Sequence, residues 1–198
     1  IDEEGSIVTS KTGINVEAGT ISLAAGDANN IFATNNGILA SGTDGKTVNI
    51  FGKNNSLTVG GEGSSNDVAG IYFSNSTQAN ININNGLDAE GRPLYAEQFT
   101  ITAKSAGDAM GIKFDGSSEN SVNVFADSIS IDANSTSERA NAIWLQSTTS
   151  DNIINLNAND SVYLHATMGQ SSGSGAVVWF TGNNNKLSIT GGNNTITS

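Results

Sequence analysis

Ala69-Gly70-Ile71-Tyr72-Phe73-Ser74, then Asn80-Ile81-Asn82-Ile83-Asn84, then Phe99-Thr100-Ile101-Thr102-Ala103: the reading of these three stretches decides the fold. Each centres on an apolar-x-apolar triplet, the period-two pattern of a strand with one face buried. The same three kinds of triplet recur in the same order along the chain. The first kind, A, is Ile38-Leu39-Ala40, Ile71-Tyr72-Phe73, Ile112-Lys113-Phe114, Ile143-Trp144-Leu145 and Val178-Trp179-Phe180. The second, B, is Ile14-Asn15-Val16, Val48-Asn49-Ile50, Ile81-Asn82-Ile83, Val122-Asn123-Val124, Ile154-Asn155-Leu156 and Leu187-Ser188-Ile189. The third, C, is Ile21-Ser22-Leu23, Leu57-Thr58-Val59, Phe99-Thr100-Ile101, Ile129-Ser130-Ile131 and Val162-Tyr163-Leu164, with Ile196-Thr197 opening another.

The spacing turns these triplets into a repeat. Successive A triplets start 33, 41, 31 and 35 residues apart, and successive B triplets 34, 33, 41, 32 and 33. The value of 41 falls at the same place in both series, so it marks an insertion between Ile83 and Phe99, at about residues 85–97. The only proline, Pro93, sits there, where it interrupts no ladder. A unit of about 33 residues with three short strands cannot bury a core alone; it needs neighbours stacked on it. The expected fold is all-β: a right-handed parallel β-helix (β-solenoid) of about five to six three-strand coils, filling residues 1–198 as one segment. In the first coil Ile31-Phe32-Ala33 competes with Ile38 for the A position, since Ala25-Gly26-Asp27-Ala28 before it resembles Ala106-Gly107-Asp108-Ala109 before Ile112. Ile38 is preferred because it keeps the ten-residue step to Val48. Ile7-Val8-Thr9 reads as a strand near the start, the end falls inside another, and no polar cap closes either. The natural protein is therefore expected to continue in both directions.

Composition excludes several function classes. The net charge is −11 with only 8 Lys+Arg, which leaves no cationic footprint for nucleic acid or an anionic membrane. No stretch reaches the ~18 apolar residues of a membrane helix, and the acidic opening Ile1-Asp2-Glu3-Glu4 is not a signal peptide. There is no cysteine, so disulfides and zinc–thiolate sites are excluded. Apolar content is only 36%, but the apolar residues are β-branched and evenly placed, unlike a disordered tract.

If the flanking residues of each triplet point inward, the middle ones form three outer ladders. B gives Asn15, Asn49, Asn82, Asn123, Asn155 and Ser188, able to bond amide to amide along the axis. C gives Ser22, Thr58, Thr100, Ser130, Tyr163 and Thr197, a plain β-forming face. A gives Leu39, Tyr72, Lys113, Trp144 and Trp179, which gathers both tryptophans on one column. Clustered surface aromatics mark binding, so these five are the candidate ligand-binding residues. Arg92, in the inserted loop, is the sixth.

Catalytic and metal chemistry is not expected. His165 is the only histidine and should point outward at the end of a C strand. No Gly-Asp-Ser-Gly nucleophile motif is present. The acids scatter through turns; Asp67, Asp108 and Glu138 are the best cluster, read as solvated turn acids in preference to a weak Ca²⁺ site. Gly60-Gly61-Glu62-Gly63 begins like a calcium-binding nonapeptide but occurs once and lacks its aspartate. No cofactor is expected.

Units of the form Ala-Gly-Ile-Tyr-Phe-Ser-Asn, Asn-Ile-Asn-Ile-Asn and Phe-Thr-Ile-Thr-Ala resemble the passenger regions of bacterial autotransporters and related haemagglutinin-like surface proteins. The resemblance covers nearly the whole chain in repeat style and composition. It implies a right-handed β-helix exported across the outer membrane, displayed outside the cell and anchored by a C-terminal barrel that these residues do not include. It implies adhesion, self-association or biofilm formation, with a surface glycan, a protein or a second copy as partner, and no membrane insertion by this segment. The family's protease nucleophile motif has no counterpart here, and no family site residue can be carried over. The expected function is a non-catalytic adhesin or stalk segment. The alternatives are a polysaccharide-active β-helix enzyme (lyase or glycoside hydrolase), whose carboxylates would have to converge in a cleft, and an inert spacer.

Overall fold

A computed structural model of the chain describes residues 6–8, 11–24, 26–61, 63–169 and 175–198. The acidic opening Ile1–Glu4, Thr9, Ala25 and Glu62, all used in the sequence reading, lie outside the described residues. Those described contain strands and turns and no helix. β1 (Ser6–Val8) is followed by layers of three strands. These are β2 (Thr12–Val16), β3 (Gly19–Ala24) and β4 (Ala28–Ala33); then β5 (Asn36–Ser41), β6 (Lys46–Phe51) and β7 (Asn54–Gly60); then β8 (Val68–Ser74), β9 (Ala79–Asn84) and β10 (Ala96–Ser105). In the next two layers the second and third strands merge, giving β11 (Ala109–Asp115) with β12 (Ser121–Ser135), and β13 (Ala140–Leu145) with β14 (Ile153–Met168). β15 (Val178–Phe180), β16 (Lys186–Thr190) and β17 (Asn193–Thr197) complete the set.

Every pairing between these strands is parallel, and each strand from β4 to β14 pairs with its counterparts in the layers on either side. One sheet is the A column, in the order β15-β13-β11-β8-β5-β2. The other has eleven strands and holds the B and C columns together. It is continuous because β12 and β14 run through both columns. Between Val122-Asn123-Val124 and Ile129-Ser130-Ile131 the strand runs on without a turn, with a register shift against β14 between Ala126 and Ser128. Val48, Ile81, Val122 and Ile154 lie one above another, as the repeat requires.

The first layer corrects the sequence reading. Ile14-Asn15-Val16 pairs with Ile38-Leu39-Ala40 and so belongs to A, not B. Ile21-Ser22-Leu23 pairs with Val48-Asn49-Ile50 and belongs to B, not C. Ile31-Phe32-Ala33 pairs with Leu57-Thr58-Val59 and is the missing C strand, which leaves Ile38 as the A strand of the next layer. The physical reason is turn length. Ile38 follows Ile31 by 7 positions, whereas Ile71 follows Leu57 by 14. The early layers are therefore short, and the 34 positions from Ile14 to Val48 span more than one of them. At the other end Tyr163 pairs with Thr195 and Leu164 with Ile196, so Thr195, not Thr197, continues the outer C ladder.

Most of the inward residues form one core that runs from Ile14 to Leu164, with two smaller clusters beside it, one around Val59 and Val68 and one around Ala133 and Ala140. Phe73 and Phe114 stack in it with ring centroids 4.3 Å apart. A column of glycines (Gly13, Gly37, Gly70, Gly111) precedes the A triplets and lets the two sheets approach. A Cβ on Gly111 would collide with Ile131 Cγ2 of the facing sheet, and one on Gly37 would stand 2.6 Å from the Gly70 carbonyl oxygen on the next strand of its own sheet. Side chains there would force the sheets apart.

Candidate functional site

Alternation along β5, β8, β11, β13 and β15 fixes which side chains face out. Ile71 and Phe73, Ile112 and Phe114, and Ile143 and Leu145 are buried, so Tyr72, Lys113 and Trp144 between them point outward. Strand register puts Leu39, Tyr72, Lys113, Trp144 and Trp179 in a single column, as the sequence predicts, with Asn15 added at the Leu39 end. All five candidates are half-buried. Lys113 is held between two rings, its Nζ 4.8 Å from the Tyr72 centroid and 5.0 Å from that of Trp144. The Arg139 guanidinium lies 4.8 Å from the Trp144 centroid. Each ring presents its electron-rich face to a cation. An open groove of about 400 Å³ is lined by Trp144, Trp179, Arg139, Gln146, Ser147 and Thr181. Burial, with a smaller contribution from the Asp115 and Asp67 charges, pushes the Tyr72 hydroxyl above its ordinary pKa, although a hydrogen bond with Ser74 acts the other way.

The turns leading into β8, β11 and β13 bring Asp67, Asp108 and Glu138 together, with one carboxylate oxygen from each within 4.8 Å of the others. The sequence picked the same trio. Such oxygens could ligate a cation, but Asp108 is buried and already neutralised. Arg139 Nε donates to Asp108 Oδ1 at 3.0 Å and Nη2 donates to Oδ2, a two-pronged ion pair. That hydrogen bonding raises the Arg139 pKa further. Asp67 Oδ1 accepts the Asp108 backbone N–H at 3.1 Å. The cluster is thus a crosslink between turns of successive layers, and its arginine also props Trp144.

The insertion folds as a small hairpin over residues 85–95, with an antiparallel bridge between Leu87 and Pro93. Its expected end at 97 moves back, because Ala96 and Glu97 are already in β10. Arg92 is exposed, but within the loop its Nε donates to Asp88 at 2.7 Å and its Nη2 to Glu90 at 2.9 Å. The Arg92 backbone N–H, first, and its guanidinium hold the Asp88 carboxyl below the usual range. The hairpin leans over the asparagine ladder and encloses a cleft of about 370 Å³ with it. The sequence placed the loop but not the cleft, because triplet spacing does not say which face an insertion folds across.

The ladder itself is amide-to-amide, as expected: Asn82 Nδ2 donates to Asn49 Oδ1 (3.0 Å), Asn123 to Asn82 (3.1 Å) and Asn155 to Asn123 (2.8 Å). Its first rung is Ser22, which accepts from Asn49 at 3.2 Å. His165 faces outward but is not isolated. Its Nδ1 lies 2.8 Å from Asp132 Oδ1 and its Nε2 lies 3.0 Å from Thr167 Oγ1. This acid–imidazole–hydroxyl order resembles a nucleophile relay, set on a strand that is paired on both sides as far as His165.

Fold and site together define an all-β protein of stacked parallel sheets with an aromatic–cation column on one outer face. No family model, no curated protein and no solved structure matches this chain.

Proposed function

We propose that the chain is a stretch of right-handed parallel β-solenoid of five to six coils from a bacterial cell-surface protein, and that it serves as a non-catalytic adhesin or stalk segment. Right-handedness follows from the strong bias of parallel crossovers. The surface location rests on the resemblance in repeat style to autotransporter passengers. The observation that carries the adhesive reading is the in-register column Tyr72–Lys113–Trp144–Trp179, with a groove that both tryptophans line. Half-buried aromatic faces backed by cations suit stacking on a sugar ring or packing against a protein surface. The partner is a surface glycan, a surface protein or a second copy of the chain. The test is a glycan and matrix-protein array run beside aggregation of cells that display the chain. The double variant Trp144→Ser, Trp179→Ser should lose capture at least tenfold while keeping its β circular dichroism. Undiminished capture by that variant would remove the tryptophan face from the reading, and no capture by the unaltered chain would leave a spacer.

The convergence of Asp67, Asp108 and Glu138 favours a second reading, a polysaccharide-active enzyme. The engagement of Asp108 by Arg139 weighs against it, because a buried carboxylate with both oxygens bonded to a guanidinium is not presented to a substrate. Release of unsaturated or reducing ends from acidic and neutral polysaccharides, lost in Asp67→Asn with Glu138→Gln, would establish it.

A further inference from the structure

The cleft under the inserted hairpin is lined by Asn49, Asn82 and Asn123 of the ladder, by Phe51 and Phe125, and by Asn84, Leu87 and Pro93. We propose that it is a binding site for a short neutral saccharide, separate from the tryptophan face and not dependent on it. Three observations converge. First, none of these lining residues carries a charge. The nearby Arg92 is turned to Asp88 and Glu90 instead. A charged ligand would enter without a counter-ion, so the site selects a neutral one.

Second, two of the ladder amides, Asn49 and Asn82, keep spare capacity in the right pattern, whereas Asn123 gives its N–H groups to Asn82 and Ser121. A carboxamide has two N–H donors and two lone pairs. Asn82 spends one N–H on Asn49 and one lone pair on Asn123, which leaves one donor and one acceptor. Asn49 is left with the same pair, since it donates to Ser22 and accepts from Asn82. Adjacent donor–acceptor pairs one strand spacing apart, about 4.8 Å, match neighbouring hydroxyls on a sugar, each of which both donates and accepts.

Third, apolar surfaces flank the amides. Phe51 pairs in register with Asn84, and Phe125 lies in the layer beyond. Their backbones are therefore two strand spacings apart along the stack, about 9–10 Å. Leu87, 55% exposed, and Pro93 close the opposite wall. The hairpin is fixed over the cleft by Asn84 Oδ1, which accepts the Gly86 N–H at 2.7 Å, and by the edge-on packing of Tyr95 against Phe125 at 5.8 Å. A sugar's C–H face packs on such rings while its hydroxyls meet the amides. A cleft of about 370 Å³ sits at the small end of ligand-pocket sizes and suits one to two sugar units.

The test is saturation-transfer NMR on the 198-residue chain with cellobiose, maltotriose, mannobiose, galactobiose and diacetylchitobiose. The expected result is transfer to at least one of them. It should fall at least tenfold in Leu87→Asp, which places a carboxylate at an exposed rim, and in Phe51→Ser. It should persist in Trp144→Ser, Trp179→Ser, so failure of this site and failure of the tryptophan face are told apart. Circular dichroism of each variant checks the fold, and Leu87→Asp touches no core residue. The proposal is overturned by transfer to no saccharide, by transfer unchanged in Leu87→Asp and Phe51→Ser, by transfer lost only in the tryptophan variant, or by binding confined to a capped Gly-Asn-Gly-Asn-Gly peptide.

Discussion

At the residue scale, two kinds of asparagine do different work. Asn49, Asn82, Asn123 and Asn155 were legible from the sequence because they occupy the middle of a triplet. A second column, Asn120, Asn152 and Asn185, was not, because it sits in the turn ahead of the B triplet, outside any periodic pattern. Its signal was a turn-forming residue just before each: Glu119, Asp151 and Asn184 all have φ near 55°. Asn152 is fully buried; its Oδ1 accepts from the Asn120 backbone N–H (3.1 Å) and side chain (2.9 Å), and its Nδ2 donates to the Ser117 carbonyl (3.0 Å). Asn152→Ala strands a buried N–H and should cost about 1–3 kcal/mol. Asn82→Ala, on the half-exposed ladder, should cost under about 1 kcal/mol. Urea unfolding of the two variants checks the order. Lys46 heads the buried column. It is 2% exposed and donates to the Gly42 carbonyl (2.7 Å), Ser76 Oγ (3.3 Å) and the Thr77 carbonyl (3.4 Å), with no carboxylate in contact. Burial lowers its pKa, partly opposed by Asp44. Between that lowered value and 10.5 the unfolded chain holds more protons, so the Lys46 contribution makes the fold more stable as pH rises. Tyr72, with a raised pKa, acts in the opposite sense above pH 10. The difference between the native chain and Lys46→Met isolates the lysine: the native urea midpoint should gain on the variant's as pH climbs through that window.

At the element scale, the strands from β5 to β16 followed from triplet spacing, whereas β2 and β3 were read one column out of phase and β4 was passed over. The pattern inside each triplet was correct; the turns between them were shorter, and apolar periodicity carries no information about turn length. The glycine column was missed for a related reason. Glycine reads as a loop former, and only the register shows Gly37, Gly70 and Gly111 stacked where two sheets meet. Gly111→Ala should destabilise by about 1–3 kcal/mol through overpacking, while Gly45→Ala, whose nearest neighbour would be 3.9 Å away, should stay within about 0.5 kcal/mol. Thermal unfolding of the pair is the measurement. The inserted hairpin is the opposite case, an element the stack does not need. Its ends are already bonded, with the Asn85 N–H donating to the Leu94 carbonyl at 2.8 Å. Deleting 86–93 should therefore change stability by less than about 1 kcal/mol and leave the layers stacked, while saccharide binding in the cleft disappears.

At the scale of the whole molecule, each layer touches only the layers beside it, so stability is a sum of local and neighbour contributions and not one all-or-none quantity. Burial already varies along the axis. β12 alternates buried and half-buried residues through its length, whereas in β3, β16 and β17 no residue is fully buried. Apolar area removed from water is worth about 25 cal/mol per Å², so the outer layers of the 198-residue chain hold together less firmly than the middle ones. Opening should start there and move inward, because a strand that loses its neighbour on one side keeps only half its ladder. Hydrogen exchange followed by mass spectrometry reads this directly. Amides of β10 to β13 should outlast those of β3, β16 and β17 by at least about 100-fold, with peptides between them falling in graded order, as sub-global openings of different free energy require. Exchange at one common rate along the chain would mean that the layers unfold as a single unit, and the additive account of the stack would have to be abandoned.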